Sequence, residues 1–196
     1  MNYYRIFFNI YQRAAQKMCL ECQEFIEKGS RILDLGCGSG IAGKAFQEFF
    51  QADLIEVDIK DKRVVNIPFQ IIDGINLPFP ENYFDVVLIN YVLHHAKNPL
   101  ALLKEAKRVT KDKIIIYEDL PERFLGKAIC WFHGYTFHLF FQHSKTEKRK
   151  KLNFNFKTNK EWRDVFENLE LKSIFEKRIS SIFNPIEKKL FVLEKI

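Results

Sequence analysis

Ile32 to Gly40 reads ILDLGCGSG, and few chain geometries accept that string. Ile32, Leu33 and Leu35 are a short apolar run of the kind that fills a buried parallel strand. Gly36, Gly38 and Gly40 follow at alternate positions, and a helix-like stretch, IAGKAFQEFF, comes next. A strand that runs through a glycine-rich turn into a helix is how α/β proteins bring backbone against a nucleotide. Glycine serves there because the chain must turn sharply and approach the ligand with no Cβ in the way.

The rest of the chain supplies partners for such a unit. Residues 3–27 carry Ile6, Ile10, Ala14, Met18 and Phe25 at helical spacing, which predicts one or two helices ended by Lys28-Gly29. Strands are expected at 31–35, 52–58, 69–73, 84–90 and 113–119. Helices are expected at 40–50 and at 99–109, the second with Pro99 in its first turn. This alternation implies a mostly parallel sheet with right-handed crossovers. Beyond residue 120 come an aromatic-rich stretch (124–141), a basic run KTEKRKK (145–151), a helix (159–168) and two strand-like runs (171–177 and 188–195). No internal repeat or strong linker interrupts the chain, so residues 1–196 read as one domain.

Composition narrows the class. Hydrophobic residues are 47% and charged residues 29%, which marks a globular chain. A net charge of +6 admits nucleic acid, an anionic membrane or an acidic substrate as partner. The opening MNYYRIFFNIYQRAAQK has no long apolar core and no small-residue cleavage site, so no signal peptide is read and a cytoplasmic location is expected. Cys19 and Cys22 form a CxxC without a second pair or a nearby His. Reduced, half-buried thiols are expected there, and no metal site.

Two ligands compete for the glycine loop. Gly38, Gly40 and Gly43 match G-x-G-x-x-G, and Asp58 lies twenty residues past Gly38, as a dinucleotide fold would have it. The register is off, since the glycine that directly ends the strand is Gly36. Asp34 would also stand beside a pyrophosphate, and two anions in a low-dielectric cleft repel.

ILDLGCGSG, the VD at 57–58 and the segment DGINLPFPENYFDVVLINYVLHHAKNPLALLKEAKRV (73–109) fit together better in another way. In order and spacing, over about residues 30 to 120, they resemble class I S-adenosylmethionine-dependent methyltransferases. The resemblance is to the small ubiquinone/menaquinone-type (methyltransferase type 11) family. It implies a Rossmann-like, doubly wound, seven-stranded sheet, mostly parallel with an antiparallel C-terminal strand. It also implies an N-terminal helical lid (1–28), a cofactor core (30–120) and substrate-side helices with C-terminal strands (121–196). The implied cofactor, S-adenosyl-L-methionine, has no phosphate and carries a sulfonium cation, so Asp34 is tolerable facing its cationic parts. By the same resemblance Gly36, Cys37, Gly38 and Gly40 meet the methionine end. Asp58 takes both ribose hydroxyls with Ile59 beside it, Asp73 and Gly74 hold the adenine edge, and Asn90 and Tyr91 face the methionine end and the methyl group. One departure stands out: IKDKRVVNIP (59–68) replaces a full helix that the family usually has in its pocket wall.

Methyl transfer asks the protein mainly to align an acceptor and exclude water. Tyr91, His94 and His95, just after the fourth strand, are the catalytic candidates, with Glu118 and Asp119 after the fifth; a structural hydrogen bond is the competing role for each His. Residues 124–141 contain Lys127, His133, His138 and two glycines, which argues against a membrane span. They read equally as a hydrophobic substrate channel or peripheral membrane contact through 124–151, and as a core or dimer helix followed by a solvated loop. The expected acceptor is a small, hydrophobic or lipid-like molecule, and the expected state a monomer or homodimer. The alternatives are an RNA or protein methyltransferase, and a non-catalytic cofactor-binding partner subunit. NYVL after the fourth strand is not the N/D-P-P-Y/F motif of many base methylases, so no strong nucleic-acid motif is present.

Overall fold

The computed structural model describes residues 3–122, 126, 128–130, 132, 135, 155–179 and 186–196. The basic run 145–151 and most of 124–141 lie outside the described residues. The elements in chain order are α1 (Tyr3–Ile6), α2 (Phe8–Cys22), β1 (Arg31–Leu35), α3 (Ile41–Phe50), β2 (Asp53–Asp58), β3 (Phe69–Ile71) and β4 (Phe84–Asn90). A short 3₁₀ turn (Leu93–His95), α4 (Pro99–Val109), β5 (Thr110–Leu120), α5 (Asn159–Asn168), β6 (Leu171–Arg178) and β7 (Glu187–Lys195) follow.

The strands form a seven-stranded sheet in the order β3-β2-β1-β4-β5-β7-β6. β1 to β5 run parallel, and β7 inserts antiparallel between β5 and β6. The mostly parallel, doubly wound sheet with one antiparallel C-terminal strand is thus present. Its order reverses between β1 and β4, the kind of switch point at which open α/β sheets bind ligands outside the strand carboxyl ends.

Side-chain alternation divides the core into two layers. Leu33, Leu35, Val57, Val87, Ile89, Ile114 and Ile116 pack with Leu102, Leu103 and Ala106 of α4 and with Trp162 and Phe166 of α5. Ile32, Leu54, Val86, Leu88, Ile115 and Tyr117 pack with Phe46 and Phe50 of α3 and with Ala15, Cys19 and Cys22 of α2. Local signals set the helix ends. The Asn98 side chain accepts the Ala101 N–H ahead of Pro99, and Thr158 and Glu161 form a reciprocal capping box on α5.

Residues 3–22 form the two helices that the apolar spacing predicts, with Ala15, Cys19 and Cys22 of α2 in the core and with Ile6 of α1 and Ile10 of α2 exposed. Three expectations shift. The thiols are fully buried rather than half-buried, and burial pushes both pKa values up to about 12, which keeps them protonated. Cys22 Sγ lies 3.3 Å from the Tyr117 hydroxyl, so the CxxC fastens α2 to β5. β3 ends at Ile71 because its partner β2 ends at Asp58, the residue paired with Ile71. β5 starts earlier, at Thr110, and ends at Leu120, where β7 pairs with it. No helix of the described residues is long and apolar enough to cross a membrane.

Candidate active site

The turn after β1 is built to lie flat against β2. The Val57 carbonyl accepts the N–H groups of both Gly36 (2.8 Å) and Cys37 (3.2 Å). Gly36 has φ +82°, and a Cβ there would meet the Val92 side chain at 2.5 Å, so no larger residue fits. Asp58 then fixes the far side of the loop. Its Oδ2 accepts the Gly38 N–H at 2.9 Å, and its Oδ1 accepts the Ile59 N–H at 2.6 Å. A carboxylate has about four acceptor sites, so Asp58 retains capacity for hydroxyl donors. Gly40 begins α3 in the left-handed conformation.

Beneath this loop lies a pair of buried acids. Asp34 and Glu56 are register partners across β1 and β2, on the face that α3 covers. Asp34 is 1% exposed and Glu56 0%, and none of their four carboxyl oxygens has a hydrogen-bond partner. Burial raises the Asp34 pKa well above the ordinary carboxyl range, and the charges of Glu56 and Asp58 raise it further. The Gly43 backbone N–H pulls the other way without reaching hydrogen-bond geometry. Glu56 is pushed up to about 7, chiefly by burial, against the pull of Arg63, whose Nη1 lies 3.8 Å from Glu56 Oε2. Gly43 owes its identity to this pair, because a Cβ there would stand 2.5 Å from Glu56 Oε1 and 2.9 Å from Asp34 Oδ2. The third glycine of G-x-G-x-x-G thus makes room for acids, which is the opposite of what a pyrophosphate needs.

One more polar side chain stands unmet nearby. Asn90, at the carboxyl end of β4, has its side-chain N and O buried without partners. Tyr91 follows with φ +59°, a costly conformation for a residue with a Cβ, and burial raises its pKa so that the phenol stays neutral. Asp73 behaves differently. It is exposed, and its carboxyl accepts from Ile75 N–H, Asn76 N–H and Asn76 Nδ2, so it caps its own turn and its pKa is lowered. Gly74 beside it packs close to Ile59, at 3.0 Å from a notional Cβ, which joins the loops after β2 and β3. Ile59 itself is 58% exposed at the rim.

The turn after β4 separates the two histidines. His94 is buried, its Nδ1 lies 2.6 Å from Glu118 Oε2, and Glu118 Oε1 accepts the Leu93 N–H at 2.8 Å. Burial pushes the His94 pKa down, but the charge and hydrogen bond of Glu118 outweigh it and the net shift is upward. His95 is exposed, with its ring 4.1 Å from that of His94. Sequence reasoning missed Glu56 and Arg63; the available signal was a charged residue inside the buried run ADLIEVD. A separate cleft of about 390 Å³ opens at the opposite, amino ends of the strands. Its charges pair across it, Arg31 with Asp53 at 3.4 Å and Lys111 with Asp85 at 3.7 Å. Among the described residues no cluster of His, Cys, Asp and Glu could hold a metal ion.

Residues 33–117 match the family model described as "Methyltransferase domain". An uncharacterized protein of Methanocaldococcus jannaschii is 33% identical over 83% of this chain and 73% of its own length. A demethylmenaquinone methyltransferase of a Geobacillus species is 25% identical over 57% of this chain; the match spans 55% of that relative, about half its length. The crystal structure of a SAM-dependent methyltransferase from Methanosarcina mazei superposes with a TM-score of 0.68, covering 90% of this chain and 97% of that one. At 14% identity the likeness to it is one of fold.

Proposed function

The chain belongs to the methyltransferase domain family, and on that premise we propose that its cradle holds S-adenosylmethionine and presents the methyl group to a small, hydrophobic or lipid-like acceptor. The observation that carries the cofactor reading is the set of unmet polar groups. Asp34 and Asn90 are buried without partners at the carboxyl ends of β1 and β4, beside a loop closed by glycines. Buried polar groups are normally satisfied, so such orphans ask for a ligand. Asp34 and Glu56 call for positive charge, and Asn90 offers both a donor and an acceptor. An amino acid end with an ammonium, next to a sulfonium, meets those demands; a pyrophosphate does not.

When bound, S-adenosylmethionine supplies an already activated methyl group. In this proposal Asp34 and Asn90 orient its methionine end, the backbone from Gly36 to Gly40 lies against it, Asp58 accepts from the ribose hydroxyls and Ile59 covers the adenine side. Asp73 acts there only through the turn that sets Gly74. His94, held by Glu118, positions the turn after β4. His95, beside it and exposed, takes a proton from an acceptor that must lose one. Tyr91 walls the methyl-group side as a neutral phenol. Residues 1–28 act as lid, for which the exposed Ile6, Phe7 and Ile10 offer an apolar face.

An apolar acceptor is favoured by the aromatic-rich 124–141 stretch and by the quinone named for the Geobacillus relative. The test is a labelled-methyl transfer screen against separate lipid, quinone, metabolite and RNA fractions. Label in the quinone or lipid fraction is the expected result, and label in RNA alone would overturn the acceptor class. Measurable cofactor binding with no transfer to any fraction would favour a non-catalytic partner subunit. His95→Ala is expected to lower kcat about 10²-fold or more, the usual size of a lost acid–base group, with cofactor Kd within about twofold of wild type.

A further inference from the structure

The segment between Asp58 and Phe69 forms no helix, yet it is tied down at several points. Val64 N–H donates to the Ser39 carbonyl at 2.9 Å, which fastens the segment to the glycine loop itself. A Cβ on Gly40 would lie 2.6 Å from the Val65 side chain, so strap and loop are in close contact. The Arg63 guanidinium organises the rest. Its Nε and Nη2 each donate to Asp61 at 2.9 Å, its Nη1 donates to the Ile67 carbonyl at 2.6 Å, and its Cζ lies over the Phe69 ring, 4.0 Å from the ring centre. One side chain therefore gathers both ends of the strap. The same Nη1 faces Glu56, whose other oxygen stands beneath Gly40 and Gly43.

We propose that Arg63 is a positioning residue for the cofactor: by gripping the buried Glu56 it clasps the 59–68 strap onto the glycine loop, where the strap serves as the pocket wall. The inference rests on reading the cradle as the S-adenosylmethionine site. Its physical basis is a shared charge. Glu56 is opposite Asp34, and when either is ionised the other resists ionisation. A cation beside Asp34 relieves that repulsion, Glu56 ionises more fully, and the ionised Glu56 holds Arg63 more strongly. Cofactor and strap then stabilise each other, and such coupling is reciprocal.

The groups that face Glu56 are Asp34 on β1, Cys37 on the glycine loop, Asp58 on its own strand, and Asp61 and Arg63 on the strap. Of these, Arg63 is the cation, and Glu56 is the group held near 7. Cofactor affinity should thus rise as the pH passes through that value.

The test combines calorimetric titration of S-adenosylmethionine with hydrogen exchange of the ligand-free protein. Wild type, Glu56→Gln and Arg63→Ala are compared at about pH 6 and about pH 8, where a group near 7 changes state. Wild-type affinity is expected to rise about fivefold across this range, equivalent to one ion pair of ordinary strength. Glu56→Gln and Arg63→Ala are expected to bind about fivefold or more weakly than wild type at the higher pH and to lose the pH response. Amides of 60–66 should exchange faster in Arg63→Ala, whereas those of β4 stay protected. A role of Arg63 in folding alone would lower melting temperature and leave the wild-type pH response in place in the variants, which would overturn the proposal. Wild-type affinity in Arg63→Ala would overturn it too, while leaving the cofactor reading intact. A folded wild type that binds no cofactor at either pH would overturn the cofactor reading and this inference with it.

Discussion

Glu56 and Glu176 are the same side chain placed in opposite circumstances. Glu56 lies beneath the glycine loop with no hydrogen bond and is pushed up from 4.5 to about 7. Glu176, on β6, accepts from Arg163 at 2.9 and 2.7 Å, from Ser173 at 3.2 Å, and from Lys189 at 2.5 Å. Burial tends to raise its pKa, but those partners bring it down from 4.5 to about 2. At the C-terminal strands charge is settled within the chain and holds β6 and β7 to α5. At the cradle charge is left open, at a cost to the fold, and a site that retains such a cost is suited to a ligand that removes it.

The largest expected effect is at Asp58. It ties Gly38 and Ile59 and is proposed to take the ribose, so Asp58→Ala should weaken cofactor binding about 100-fold, from charge-assisted hydrogen bonds worth about 1.5–3 kcal/mol each plus a loosened loop. Titration calorimetry reads this directly, and unchanged affinity would remove Asp58 from the site.

The next effect concerns stability and has opposite signs in the two regions. Glu56 has a folded value above its ordinary one, so the folded state binds the extra proton and stability falls as pH rises from 4.5 to about 7. Glu56→Gln should abolish that slope and leave the ligand-free protein about 1–3 kcal/mol more stable than wild type above that window. Urea unfolding at about pH 5 and about pH 8 measures it. Glu176 is depressed, so its contribution is present above 4.5 and is lost as pH falls toward about 2. Glu176→Gln should therefore cost about 1 kcal/mol at neutral pH, and cofactor affinity should stay within about twofold of wild type. If the two glutamine variants shifted stability in the same direction, the contrast between the regions would fail.

The same contrast explains what the sequence made legible. β4 at Phe84–Asn90, α4 at Pro99–Val109 and α5 at Asn159–Asn168 coincide with expectation because local signals bound them: an unbroken apolar run, Asn98-Pro99, and the Thr158–Glu161 box. β5 outgrew its apolar stretch because β7 pairs with it out to Glu187, a distant partner that no window of sequence contains. The helices of residues 3–22 were legible from their spacing, but which face of α2 meets the sheet, Ala15 and the two cysteines, is set by distant partners. Within the candidate site, the placement of the glycine loop, Asp34, Asp58 and Asn90 at or near strand carboxyl ends was legible through their motif. Glu56 and Arg63 were not, because their meeting depends on strand register and on the path of an irregular strap.

If the open charge of the cradle is there for a cationic cofactor, Asp34 must carry much of the affinity. S-adenosylmethionine is titrated calorimetrically into wild type, Asp34→Asn and Glu176→Gln at about pH 8, where an unmet buried carboxyl matters most. Asp34→Asn is expected to lose about tenfold or more in affinity while remaining folded, and Glu176→Gln to bind as wild type does. Wild-type affinity in Asp34→Asn would contradict that reading of the cradle.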